Sequence, residues 1–219
     1  ILSGDAMYTL AQIALADTPS KDLPRALTIF NQTALEVCIG QQSDMDFERR
    51  DDVTVEAYME MIRLKTSVLV AASLALGAIA VGASEGRVRL WYEAGEELGL
   101  AFQMQDDLLD AFGGDAMGKQ IGGDILSNKK TFLRLHTWEQ ANPGMLAALK
   151  QWDEITDQPK EKVDFVKSAM VACGADAAAR LRMNEHVDCA MSAIDALDLD
   201  PSHREWFGFL GGLVTQRTS

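Results

Sequence analysis

"FQMQDDLLDAFGG", residues 102–114, closes the longest helical pattern in the chain, and its three aspartates frame the question of what the protein does. Leu100, Phe102, Met104, Leu108, Leu109 and Phe112 mark a helix that is largely buried. Asp106, Asp107 and Asp110 fall within about 100° of arc on that helix, with Gln103 between them. From Leu90 to Gly118 there is no lysine or arginine, against seven carboxylates. Neighbours four residues apart on a helix lie about 5–6 Å from each other, so these carboxylates repel. A solvated acidic face is one reading; a face that holds a cation is the other. Apolar surroundings and missing intrahelical bases favour the second, because a buried carboxylate without a base takes up a proton or binds a cation. Aspartate oxygens suit Mg²⁺, which uses one or two carboxylates, keeps waters and bridges to substrate phosphates.

The next segment carries the complementary charge. "GKQIGGDILSNKKTF", residues 118–132, is a glycine-spaced loop bearing Lys119, then Asp124, then Lys129 and Lys130. Glycines permit close backbone approach, and lysines bind phosphate as point charges. A Gly-Lys turn is common on its own; directly after an aspartate face it points to a compact ligand with several negative charges.

Outside this region the spacing of apolar residues is three and four nearly throughout, and alternating β-branched runs are missing. Breakers divide the chain into helices. One ends near Asp17, a second covers about 23–42 before an acidic loop, and Thr54 caps a third that runs unbroken to Gly82. The long helix spans 85–112. After the loop 113–123 comes a helix through "ILSNKKTFLRLHTWEQA", then one from Pro143, one from Pro159 and one over about 175–197. Ser202 and Glu205 form a capping box for the last. There is no repeat or convincing linker, so residues 1–219 read as a single all-α domain.

Thr66–Ser84 is uncharged over 19 residues, long enough to weigh as a membrane span. Its richness in Ala, Gly and Ser, and the lack of a second such segment, favour a helix buried on all sides in a helical core and no stable membrane insertion. Net charge is −13, from 33 acidic and 20 basic residues, which disfavours nucleic acid as a partner. Cys38, Cys173 and Cys189 show no metal-type pairing and read as buried free thiols of a cytoplasmic protein. His136, His186 and His203 lie too far apart for a histidine metal pair.

Taken in order, "SGDAMYTLA" (3–11), "EVCIGQQSD" (36–44), "YMEMIRLKTSVL" (58–69), "FQMQDDLLDAFG" (102–113) and "GKQIGGDILSNKKTF" resemble the trans-isoprenyl diphosphate synthases of the polyprenyl synthetase family. The resemblance implies an all-helical, isoprenoid-synthase-type bundle around a central substrate cavity, usually a homodimer. It implies an enzyme that joins an allylic diphosphate to isopentenyl diphosphate with Mg²⁺ as cofactor. Carried over by motif position, Asp106, Asp107 and Asp110 would hold Mg²⁺ on the allylic diphosphate, and Asp124 would hold metal-bound water. Lys119 and Lys129 would contact the diphosphate, with Gln41 a weaker candidate. Lys65, Thr66 and Gln103 would face the carbocation.

The family has two aspartate-rich motifs; residues 106–110 match the second, and the first is not found here, since "RRDDVTVE" (49–56) has neither the helical setting nor the fifth-position aspartate. The missing motif is expected upstream of Ile1, and the chain by itself is not expected to catalyse. The loop from Asp110 to Lys119 is slightly short for the family, and Arg217 is a lone basic residue at the C-terminal end. A non-catalytic synthase subunit, or a class I terpene cyclase, are the rival readings.

Overall fold

A computed structural model describes residues 1–19, 21–113 and 122–216, and these hold helices and no strand. In chain order they are α1 (Leu2–Ala16), α2 (Leu23–Phe47), α3 (Val55–Ile62), a π-helical segment (Arg63–Ser67), α4 (Val68–Ala80) and α5 (Glu85–Phe112). Then come α6 (Gly123–Leu126), α7 (Phe132–Gln140), α8 (Pro143–Glu154), α9 (Pro159–Ala172), α10 (Ala175–Asp195) and α11 (Pro201–Gln216).

α5 is the axis. It packs along α4 on one side and α10 on the other, burying Val88, Ala94, Leu100, Ala101, Met104, Leu108 and Ala111. The largest core cluster gathers Tyr58, Met61 and Ile62 of α3 against Met104 and Leu108, with Phe132 and Leu133 of α7, Val166 and Met170 of α9, and Met183 of α10. Burying side chains of this kind contributes about 1.5–3 kcal/mol each, so α5 is fixed chiefly by its apolar face.

Two glycines let helices approach the π-helical segment unusually closely. A Cβ on Gly40 of α2 would lie 2.8 Å from Lys65 Cα, and one on Gly99 of α5 would lie 2.6 Å from Ser67 Cα. Both distances are shorter than any packed Cβ contact, so α2 and α5 grip this turn from two sides.

The local chemistry that ends and starts helices follows the sequence at several points. Thr54 accepts the Ala57 N–H at 3.2 Å, Asn142 accepts the Met145 N–H at 2.9 Å ahead of Pro143, and Gly82 takes a positive φ after α4. Elsewhere the structure corrects the sequence reading. The helix expected from Thr54 to Gly82 is interrupted by the π-helical segment, because the gripping glycines shape a turn that apolar spacing does not reveal. α2 runs on through Ser43–Phe47, where Phe47 is buried in the core. The helix expected over 123–141 is split: Asn128 takes φ +54, and Thr131 caps a new start by accepting the Arg134 N–H. The Ser202–Glu205 capping box does not form, since Pro201 occupies the first helical turn ahead of Ser202.

α4 is not buried on all sides. Val68, Ala71, Ala72, Ala75, Ala78 and Ile79 face α5 and α2, while Leu69, Val70 and Ser73 are exposed. Val55–Ala80 is long and apolar enough to cross a membrane by length and composition, with 44% of its most apolar stretch buried. Cys38 and Cys189 are likewise exposed rather than buried.

Candidate active site

The C-terminal third of α5 delivers Gln103, Asp106, Asp107 and Asp110; the π-helical segment delivers Lys65 and Thr66; α6 and the turn after it deliver Asp124 and Lys129. The structure gathers most of these into two hydrogen-bonded groups, one on Asp107 and one on Asp110, while Lys65 pairs with Asp44.

The first part centres on Asp107. Its Oδ2 accepts a short hydrogen bond from the Tyr58 hydroxyl, and its Oδ1 accepts from Gln103 Nε2 at 3.1 Å. Gln103 Oε1 in turn accepts from the Thr66 hydroxyl at 3.1 Å. Tyr58 is 1% exposed and Asp107 3%. Burial pushes the Asp107 carboxyl up to about 7, against the opposing pull of the Tyr58 and Gln103 hydrogen bonds. The Tyr58 hydroxyl is pushed well above its ordinary value by burial and then by the Asp107 charge.

The second part ties α5 to the segment that follows it. Asp110 Oδ2 accepts the Asp124 N–H at 2.9 Å, and the Asp110 carbonyl accepts the Gly122 N–H at 2.8 Å. Gly122 makes this approach at φ +79, a backbone region that glycine adopts freely. Burial raises the Asp110 carboxyl above its usual range. Asp106 is half-buried, and no described residue donates to it.

Lysines face this cluster. Lys129 Nζ lies 3.5 Å from Asp124 Oδ1; burial opposes its charge, but Asp124, Asp107 and Asp44 outweigh that and hold the ammonium above the ordinary lysine value. Lys65 Nζ pairs with Asp44 Oδ2 at 2.6 Å, binding α2 to the π-helical segment. Asp44 and Lys129 also border a groove of about 540 Å³, together with Phe47, Lys130 and Arg134. Gln41 is exposed on α2 beside Gly40. Lys119 and Arg217 lie outside the described residues.

Two residues here are absent from the candidate set read from sequence. Tyr58 stands seven residues before Lys65, two helical turns away, inside a quoted motif from which only Lys65 and Thr66 are carried over. Asp44 ends the "GQQSD" stretch, and only the fold shows that it meets Lys65.

The residues suit a hard divalent cation that arrives with its own ligands. Among the described residues no three side chains converge as a ready-made metal cage. Partly buried aspartates with carboxyls raised by burial are instead under-compensated, a condition that Mg²⁺ coordinated by waters and phosphates relieves.

The fold, with aspartates on its axial helix and lysines on the turn facing them, defines an isoprenoid-synthase-type bundle. The chain belongs to the polyprenyl synthetase family, whose profile matches residues 1–173. It is 33% identical over 204 residues to a geranylgeranyl pyrophosphate synthase of Geoglobus acetivorans, covering 92% of this chain and 62% of that one. A crystal structure of a geranylgeranyl pyrophosphate synthase superposes with a TM-score of 0.91 at 38% identity, covering all of this chain and 68% of the other. Another, from Corynebacterium glutamicum in complex with isoprenyl diphosphate and magnesium, gives 0.87 at 28% identity over 99% of this chain and 62% of that one. The chain spans 42–62% of the length of the first curated relatives it matches.

Proposed function

We propose that the protein is an Mg²⁺-dependent trans-prenyltransferase that condenses an allylic diphosphate with isopentenyl diphosphate into a longer linear prenyl diphosphate of short to medium length. The observation that carries this reading is the under-compensated cluster of Asp106, Asp110 and Asp124 facing Lys129, one helical turn along α5 from Gln103 and its partner Thr66. A charged end next to uncharged dipoles fits a substrate with a diphosphate head and an allylic carbon behind it.

Of the four carboxylates carried over by motif position, Asp106, Asp110 and Asp124 would hold Mg²⁺ and its waters, and Asp107 lies beside them on the same helix as Asp106 and Asp110, bonded to Tyr58 and Gln103. Mg²⁺, when bound, supplies charge neutralisation for the departing diphosphate. Lys129 Nζ holds a phosphate oxygen of the same group, and Lys119 is proposed as its companion. The carbon–oxygen bond of the allylic substrate breaks with its electron pair on the diphosphate. Thr66 Oγ1 and Gln103 Oε1 face the cation that remains and stabilise it through fixed dipoles, and Lys65 is proposed to face it from the same turn with its ammonium held away on Asp44. The isopentenyl alkene forms the new carbon–carbon bond, and the released diphosphate takes the proton whose loss restores a double bond. No protein nucleophile is needed. Gln41 is proposed only to border the diphosphate region.

The working unit we propose is one all-helical domain, in a cytoplasmic homodimer without stable membrane insertion. The resemblance of all five motifs, in order, supports this.

The test is an elongation assay on the full-length gene product with dimethylallyl, geranyl or farnesyl diphosphate plus labelled isopentenyl diphosphate, with Mg²⁺ or with a chelator. A longer linear diphosphate that forms only with Mg²⁺ is expected. Absence of elongation with every primer overturns the reading, and cyclic hydrocarbons from one allylic substrate would replace it with a cyclase.

A further inference from the structure

Of the three aspartates on α5, Asp107 stands apart. Asp106 receives no hydrogen bond from a described residue, and Asp110 accepts one backbone N–H on a single oxygen. Asp107 has both oxygens engaged by protein donors, Tyr58 Oη on Oδ2 and Gln103 Nε2 on Oδ1, in a site 3% exposed. Moving that carboxylate onto a cation would take the acceptor from a buried tyrosine hydroxyl and from a half-buried amide.

The same bonds decide which way Gln103 points. An amide can present either its oxygen or its NH₂ to a neighbour, and the hydrogen-bond network sets the choice. Asp107 Oδ2 accepts from the Tyr58 hydroxyl and Oδ1 accepts from Gln103 Nε2, so it is the NH₂ of Gln103 that faces Asp107. The amide oxygen is thereby turned toward Thr66, whose hydroxyl donates to it at 3.1 Å. Thr66 has then spent its one proton, and its remaining lone pairs are free to face outward. The chain Tyr58–Asp107–Gln103–Thr66 links α3, α5 and the π-helical segment.

We propose that Asp107 is a positioning residue rather than a metal ligand: locked by Tyr58, it orients Gln103 and Thr66 so that both present oxygen lone pairs, not protons, to the reacting carbon. This rests on the prenyl-transfer reading and sharpens it. A cation next to an N–H would be repelled; the same cation next to two oxygens is stabilised. Metal binding then belongs to Asp106 and Asp110 on this helix.

The experiment uses the full-length protein and the variants D106N, D107N, Y58F and Y58F/D107N. The first readout involves no turnover: calorimetric titration with inorganic pyrophosphate in the presence of Mg²⁺. D107N and Y58F are expected to bind within threefold of wild type, whereas D106N weakens binding by tenfold or more. The second readout separates kcat from KM for the allylic diphosphate. D107N is expected to lower kcat by about 10²-fold and Y58F by about tenfold, with KM changed less than threefold. The double variant is expected to be no slower than D107N alone, because both break one chain.

Loss of Mg²⁺-pyrophosphate binding in D107N to the degree seen in D106N overturns the proposal, as do independent, multiplying effects of the two substitutions. Each variant's melting temperature is compared with wild type, and should D107N fail to fold, Y58F carries both readouts. Wild-type protein that binds Mg²⁺-pyrophosphate but elongates nothing defeats the functional reading while the titration still decides the role of Asp107. Wild-type protein that binds no Mg²⁺-pyrophosphate defeats both.

Discussion

Two stretches of α5 bury carboxylates in opposite ways. In its middle, Glu96 pairs with Arg63 Nη1 at 3.0 Å and Glu97 with His186 Nδ1 at 2.6 Å, each meeting a base from another segment. About three turns further on, Asp107 and Asp110, beside Asp106, feel Asp124 of another helix and, among the described residues, chiefly one ammonium, that of Lys129. In the first stretch Glu96 meets a fixed guanidinium charge and Glu97 a hydrogen-bonding imidazole, both supplied by protein. Among the described residues the second is left in deficit of positive charge, which is how a site prepares for a ligand that brings cations with it. A carboxylate on this helix is therefore sorted by its partner: base, hydrogen-bond donor, or an incoming ion.

The comparison can be broken in graded steps. The largest effect is expected from D106N in the full-length protein, which removes a metal-facing carboxylate: prenyl transfer should fall about 10²–10³-fold. Its melting temperature should stay level or rise, because relieving like-charge crowding costs the fold nothing. A melting temperature that drops along with activity would mean Asp106 is structural. Next comes Gly99→Ala. Its Cβ would sit 2.6 Å from Ser67 Cα, so roughly 1–3 kcal/mol of overpacking is expected in denaturant titration. Activity should fall too, since the turn carrying Lys65 and Thr66 must shift.

Arg63→Ala probes the compensated stretch. It strands Glu96, whose side chain is 24% exposed, and should cost about 1–2 kcal/mol by urea titration while leaving kcat within a few-fold. A large loss of kcat there would erase the distinction between the two stretches. The smallest effect is Thr54→Ala, which removes the α3 cap and should cost about 1 kcal/mol with no change in Mg²⁺ dependence.

The helical class and most boundaries were legible because they rest on local signals. α5 carries the period of a buried helix, and the caps at Thr54 and Asn142 and the prolines at 143 and 159 act within a few residues. The acidic face with its downstream lysine was legible from charge alone. What escaped depends on distant contacts. The π-helical segment exists where Gly40 and Gly99, far apart in sequence, close on the same turn. α4 is open on one side because burial depends on which neighbours arrive, and composition does not reveal that. Tyr58 went unmarked because an aromatic at helical spacing looks the same in sequence whether or not its hydroxyl has a partner. Its role shows only once α3 and α5 are side by side.

The central claim is that the aspartate face is completed by a cation and a diphosphate together, and the melting temperature of the full-length protein measures this directly. With Mg²⁺ alone or inorganic pyrophosphate alone the shift should be small. With both at about 100 times their joint dissociation constant, binding stabilises the fold by roughly 2.7 kcal/mol, a rise of roughly 5–10 °C for a chain of this size. The rise should vanish in D106N. A full shift with Mg²⁺ alone, or no shift with the pair, would contradict the account.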